Sequence, residues 1–195
     1  MLRLMAAPTT RRLLLVWHSR TGLAQQMADA CERGANDTAR ELADDGATLL
    51  AVVRRRAADA TKEDLLTSDG FLFCSPENLA STSGEMLEFF HRTYYSAFLS
   101  TGSSCDDNDH NSVLAGRPYA LAIAAGSDGT SAARQQHRIC RGWRLRRIVP
   151  EEDTLIVQNG QPQTARLILQ PKTLPVDGVQ RCSELGGLIA AHLLL

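Results

Sequence analysis

Between the apolar run at 13–17 and a segment of helical period stand Ser19, Arg20, Thr21 and Gly22. A loop that leaves a buried strand and enters a helix presents unpaired backbone N–H groups and the positive end of the helix dipole, so it favours an anion. Two hydroxyls add donors, and Gly22 lets the backbone wrap closely. A phosphate monoester is the ligand such a corner suits. The same residues also make an ordinary helix cap and turn, with Ser19 and Thr21 capping and Gly22 reversing the chain, and the loop alone leaves both readings open.

The elements that must position this loop follow from hydrophobic period. Leu13-Leu14-Leu15-Val16-Trp17 is a continuous apolar run, the pattern of a strand buried on both faces. From Gly22 onward, Leu23, Met27, Ala30 and Cys31 recur at helical spacing, continue through Ala39, Leu42 and Ala43, and end at Asp44-Asp45-Gly46. Residues 48–53 make a second strand, and 64–66 a short connecting helix. Gly70-Phe71-Leu72-Phe73-Cys74 is a third strand closed by Ser75-Pro76, and a helix opens near Ser83. Residues 119–125 form a fourth strand, 131–147 a helix, 154–157 a fifth short strand, and 179–193 a terminal helix. The polar stretch 101–116 reads as a mobile surface loop, and 158–175, with three prolines, as a meandering link. Strands alternating with helices require a parallel sheet covered on both faces, with ligands outside the carboxyl ends of the strands. Three loops leave such ends: 19–24, 75–83 and 126–130.

Leu-Val-Trp-His-Ser-Arg-Thr-Gly at 15–22 resembles the first loop of the flavodoxin-like superfamily. The stretch 70–93 is similar to the second flavin loop and following helix of its NAD(P)H-dependent FMN reductase and quinone reductase branch. Gly116-Arg117-Pro118 and, after a strand, Ala125-Gly126-Ser127-Asp128-Gly129 resemble the third loop. The resemblance implies a three-layer α/β sandwich with a five-stranded parallel sheet ordered 2-1-3-4-5 and FMN at the junction of strands one and three. It implies that Ser19, Arg20, Thr21, Gly22, Leu23 and Ala24 enclose the phosphate. Pro76, Glu77, Asn78, Leu79, Ala80 and Ser81 would line the isoalloxazine, and Gly126, Ser127, Asp128 and Gly129 its other edge. The implied activity is hydride transfer from NAD(P)H through the flavin to a quinone or similar small acceptor, with no side chain required as acid or base. A homodimer or homotetramer goes with that resemblance.

Two departures bear on the cofactor. Family phosphate loops often end in a polar pair such as Asn-Thr, where this chain has Leu23-Ala24. One lost charge-assisted hydrogen bond is worth about 1.5–3 kcal/mol, or about one to two decades of affinity. The second loop has Asn78-Leu79 where many relatives place an aromatic ring. Both favour a rival reading, a binding module that keeps the fold but holds FMN weakly or not at all. A flavodoxin-type electron carrier is the other rival; such carriers present a strongly acidic face, and the net charge here is −1.

Other residues are weighed against plainer roles. Trp17 reads as core, and no acid stands near His18 in sequence to orient it for proton transfer. Arg54-Arg55-Arg56 and the spaced Arg134, Arg138, Arg141 and Arg144 suit a 2′-phosphate of NADPH, but a solvated strand end and helix face explain them as well. Cys105-Asp106-Asp107-Asn108-Asp109-His110 fails the EF-hand pattern, so no metal site is expected. Cys140 and Arg146 have phosphatase spacing but fall in a helical segment.

Composition bounds the rest. The 195 residues, 44% hydrophobic, suit one domain over 13–195 behind a flexible leader at 1–12. A near-neutral chain offers no field for nucleic acid, and no run reaches the roughly 20 apolar residues of a membrane span. Five scattered cysteines, an odd number, point to a reducing cytoplasm rather than a disulfide framework.

Overall fold

The computed structural model describes residues 9–43, 48–98 and 112–195. Strand β1 (Thr10–Trp17) lies between β2 (Leu49–Arg56) and β3 (Gly70–Asn78), parallel to both. Beyond β3 comes β5 (Pro118–Ala125), also parallel. The outer position is shared by two short strands, β6 (Arg146–Arg147) beside Pro118 and Tyr119, and β7 (Leu155–Gln158) beside 122–125. The sheet thus has the order 2-1-3-4-5 expected for its principal strands, with the fifth split by the segment 148–154. A two-residue strand, β4 (Ser81–Thr82), folds back antiparallel on the end of β3.

Alternation along the strands builds two cores. Leu13, Leu15, Leu72, Cys74, Ala120 and Ala122 face α1 (Leu23–Glu41) and α5 (Val176–Leu194). Leu14, Val16, Phe71, Phe73 and Leu121 face α3 (Gly84–Thr93) and α4 (Thr130–Gly142), where Phe89, Phe90 and Trp143 pack on Phe73. The short helix α2 (Lys62–Leu66) starts at a capping box, Thr61 accepting from the Asp64 N–H at 3.1 Å and Asp64 accepting from the Thr61 N–H at 3.0 Å.

Three expectations need correction. The leader does not extend to residue 12, because 10–12 pair with 49–51 as the first residues of β1 and the Arg12 N–H donates to Asp69 at 2.8 Å. The second strand runs on through all three arginines to Arg56. The fourth helix stops at Gly142 rather than 147. Its end is a Schellman motif, with the Leu145 N–H on the Cys140 carbonyl and the Arg144 N–H on that of Arg141, and Arg144 at φ 58. The left-handed position after the helix is taken by Arg144 rather than by a glycine, so Arg144 leaves the helix face it was expected to share, and Arg146 and Arg147 enter the sheet. The expected helix stop at Asp44-Asp45-Gly46, the Cys105–His110 cluster and most of the 101–116 loop lie outside the described residues.

Candidate functional site

β1 delivers the chain to a sharp corner. Gly22 adopts φ 88, in the left-handed region that glycine enters without steric cost, and α1 starts at Leu23. The Ser19 hydroxyl accepts from the Gly22 N–H at 3.0 Å, closing the corner on itself. The N-cap residue is Gly22, which has no side chain to cap α1, and the Ser19 hydroxyl holds only the Gly22 N–H. The Gly22 amide is spent, whereas among the described residues no acceptor meets the amides of Thr21, Leu23 and Ala24. These donors stand at the positive end of a 19-residue helix, a setting whose field favours negative charge. Leu23 and Ala24 are 3% and 1% exposed and anchor the helix in the core, so only their backbones can serve a ligand.

The corner opens into a cleft of about 430 Å³. Its lining includes Ser19, Arg20, Thr21, Leu23, Ala24, Pro76, Glu77, Asn78, Leu79, Ala80, Gly126 and Ser127. All three loops expected at the carboxyl ends of the strands therefore meet around one space. Four expected residues do not line it. Gly22 turns the chain behind it. Ser81 donates to Gln135 of α4 at 2.9 Å, Asp128 accepts from the N–H and hydroxyl of Thr130, both at 2.9 Å, and the Gly129 N–H donates to Glu77 at 3.3 Å. Glu77 also accepts from the Ser127 hydroxyl at 2.6 Å. Its carboxylate ties the second loop to the third and takes up donors that the third loop was expected to offer a ligand.

A fourth wall was not legible. Asn159, Gln163, Ile168, Leu169 and Lys172 of the proline-rich link also line the cleft. Gln26 holds this wall to the corner: its amide donates to the carbonyls of Gly22 at 3.1 Å and Lys172 at 2.7 Å and accepts from the Leu174 N–H at 3.0 Å. The Lys172 N–H donates in turn to the Thr21 carbonyl at 2.8 Å. Lys172 is buried, and its ammonium donates to Gln161 at 2.9 Å and to the Leu167 carbonyl at 2.6 Å, leaving a third donor. Contacts spanning 146 residues have no local signature.

No aromatic side chain lines the cleft among the described residues. Apolar contact falls to Leu79, fully exposed at the rim, and to Ile168 and Leu169. Leu79 and Ala80 form the two-residue tip between β3 and β4 at φ 52 and 53, the backbone of a primed hairpin turn that ordinarily recruits Asn-Gly. Alanine in that region costs about 1–2 kcal/mol. Ala80→Gly is expected to stabilise the protein by about 1 kcal/mol, raising Tm by about 2–4 °C in a calorimetric scan. An unchanged or lowered Tm would contradict the assigned strain.

His18 sits outside the cleft lining, on the side of β1 facing α3. Its Nδ1 meets Ser83 Oγ at 2.9 Å and its Nε2 lies 3.2 Å from Glu85 Oε1, so the orienting acid that is absent nearby in sequence comes from α3. Burial lowers the His18 pKa, Glu85 opposes this, and the Arg56 and Arg20 guanidiniums add to it. Trp17 is half-buried against the core, with Arg54 and Arg56 at 4.9 and 5.6 Å from its ring centre. Arg54 is paired with Asp29 and Glu32, and Arg55 with Asp64, which leaves neither free for an incoming phosphate.

Several solved structures share this architecture. A flavodoxin from the domain Archaea matches with a TM-score of 0.63 at 15% identity, covering 93% of this chain and 98% of its own. A flavodoxin WrbA-like protein from Agrobacterium tumefaciens gives 0.61 at 12%, covering 94% and 97%. An oxidoreductase from Corynebacterium diphtheriae gives 0.61 at 16%, also covering 94% and 97%. At such identities the likeness shows the fold alone. No curated protein matches the sequence. The family described as NADPH-dependent FMN reductase matches residues 19–162, a span that opens on the anion corner and takes in all three cleft loops. By that match over most of its length, the chain belongs to the NADPH-dependent FMN reductase family.

Proposed function

We propose that the cleft holds FMN and that the chain uses it to pass hydride from NAD(P)H to a quinone or similar small acceptor. The observation that carries this reading is the set of amides at Thr21, Leu23 and Ala24, without acceptors among the described residues, opening into the same space as the walls from the second and third loops. Those amides, with the Thr21 hydroxyl, the exposed Arg20 guanidinium and the third donor of Lys172, suit a phosphate dianion. The space between Pro76–Ala80 on one side and Gly126 and Ser127 on the other suits a flat heterocycle. Bound FMN supplies the redox chemistry, taking up hydride and giving electrons on to the acceptor.

The chain's own residues then bind, orient and shield. Glu77 fixes the two ring-side loops to each other through Ser127 and Gly129. Gln26 fixes the 158–172 wall over the phosphate corner, restricting water there. No proton carrier is required of the protein, and His18, engaged by Ser83 and Glu85, stands apart from the cleft. The apolar rim of Leu79, Ile168 and Leu169 favours a small apolar acceptor over a highly charged one. The cytoplasm and a homodimer or homotetramer complete the proposal; among the described residues no helix is long and apolar enough to cross a membrane.

The test is addition of FMN to the purified protein. Binding is expected to perturb the visible flavin spectrum and, at 100 times its dissociation constant, to add about 2.7 kcal/mol of stability, raising Tm by about 5–10 °C. The flavin-saturated protein should oxidise NADPH in the presence of a quinone. A protein that leaves the flavin spectrum and its own Tm unchanged would instead be a binding module that has kept the fold, the reading favoured by the absent aromatic wall.

A further inference from the structure

We propose that the groove between α3 and α4 is a second binding site, for an amphipathic organic anion: an apolar body carrying one carboxylate, sulfonate or phosphate head. The groove encloses about 490 Å³, a small-molecule size, and shares no lining residue with the cleft. Phe90, Tyr94 and Ile139 make its floor. That floor is pre-formed, because Phe90 is packed against Phe73 and Trp143 at ring separations of 5.2 and 5.5 Å, and Tyr94 is stacked on Trp143.

The rim supplies the charge. Arg134 and Arg138 stand one turn apart on α4, both exposed and both lining the groove. Among the described residues neither has a carboxylate within ion-pair distance, although Arg11, Arg40, Arg54, Arg55, Arg92 and Arg147 all do. Two like charges at this spacing repel, and a shared anionic head relieves the repulsion while accepting from both guanidinium forks. Gln135 lies between them. Its Oε1 is taken by the Ser81 hydroxyl at 2.9 Å and the Thr82 N–H at 2.8 Å, so its NH₂ is the group left to donate. An apolar floor under two exposed arginines that make no ion pair among the described residues, Arg134 feeling Asp128 only at longer range, selects against cations and against neutral hydrocarbons.

The probe is anilinonaphthalene sulfonate, titrated by fluorescence into the full chain. Saturable binding is expected, weakened about tenfold or more in the double variant Arg134→Gln, Arg138→Gln, whose near-ultraviolet circular dichroism should match the parent because both sites are exposed. Decanoate should displace the probe, decyltrimethylammonium should not, and saturating FMN should leave it bound. Equal affinity in the double variant, equal competition by the cation, or displacement by FMN would each overturn the proposal. So would self-association in sedimentation that Ile139→Glu abolishes, with no probe bound, since the groove would then be an interface between copies. Apart from the FMN competition, these readings do not depend on whether the cleft takes a flavin.

Discussion

Gly186→Ala is expected to destabilise the protein by about 3 kcal/mol, lowering Tm by about 6–12 °C. At this point α1 and α5 touch backbone to backbone. A Cβ on Gly186 would lie 1.9 Å from the Cys31 carbonyl oxygen and 2.7 Å from its carbon, and a Cβ on Gly34 would lie 1.9 Å from the Ser183 oxygen. The obstacle is main chain on both sides, so no rotamer change can make room. The helices must separate along their whole contact, and Cys31, Ala35, Cys182 and Ile189, all fully buried, lose close packing with the sheet behind them. Gly34→Ala should behave alike. Urea unfolding of either variant checks the value, and a loss below 1 kcal/mol would show that the crossing is not as tight as described. Because α1 carries the unpaired amides at its first turn, FMN affinity should fall with the stability.

Acidification should remove on the order of 3 kcal/mol between pH 6.5 and pH 4 through His137. This side chain is 4% exposed, and burial first, then the neighbouring Arg147, push its pKa down to about 4. Its tautomer follows from its partners. The Thr154 hydroxyl donates to the Glu151 carbonyl at 2.8 Å, so it must accept from Nε2–H at 2.8 Å; Nδ1 is then the acceptor for the Tyr119 hydroxyl, also at 2.8 Å. A second ring proton would confront a donor in a buried place. Within that window the unfolded chain binds more protons than the folded one, so stability rises with pH and is lost as pH falls from 6.5 to 4. His18, with its lowered pKa, acts in the same direction. Urea unfolding across pH 8 to 4 should show this slope in the parent and a flatter one in His137→Gln; identical slopes would remove His137 as the cause.

What could be read in advance divides along physical lines. Runs such as 13–17 and 70–74 are buried on both faces, so their apolar continuity declares them, and the parallel order follows from their alternation with helices. The loop at 19–24 was legible because a strand-to-helix corner with glycine is a local pattern. Contacts made through space were not. Nothing near Lys172 or Gln26 marks them as partners across the corner, and Glu77 looks like a ring-side residue until Ser127 and Gly129 are seen to occupy its carboxylate. His18 lacked an acid only because Glu85 comes from a different element. The over-long fourth helix reflects a stop made by Arg144, a residue type with good helix propensity placed in a left-handed turn.

The central claim is that backbone donors at the start of α1 hold a phosphate. Comparing FMN with riboflavin, which differs only in lacking that group, isolates it in one titration of the intact protein. Charge-assisted hydrogen bonds of about 1.5–3 kcal/mol each predict that FMN binds at least about a hundredfold more tightly. Equal affinities for the two flavins would contradict the account, because the amides of Thr21, Leu23 and Ala24 would then have no part in holding the ligand.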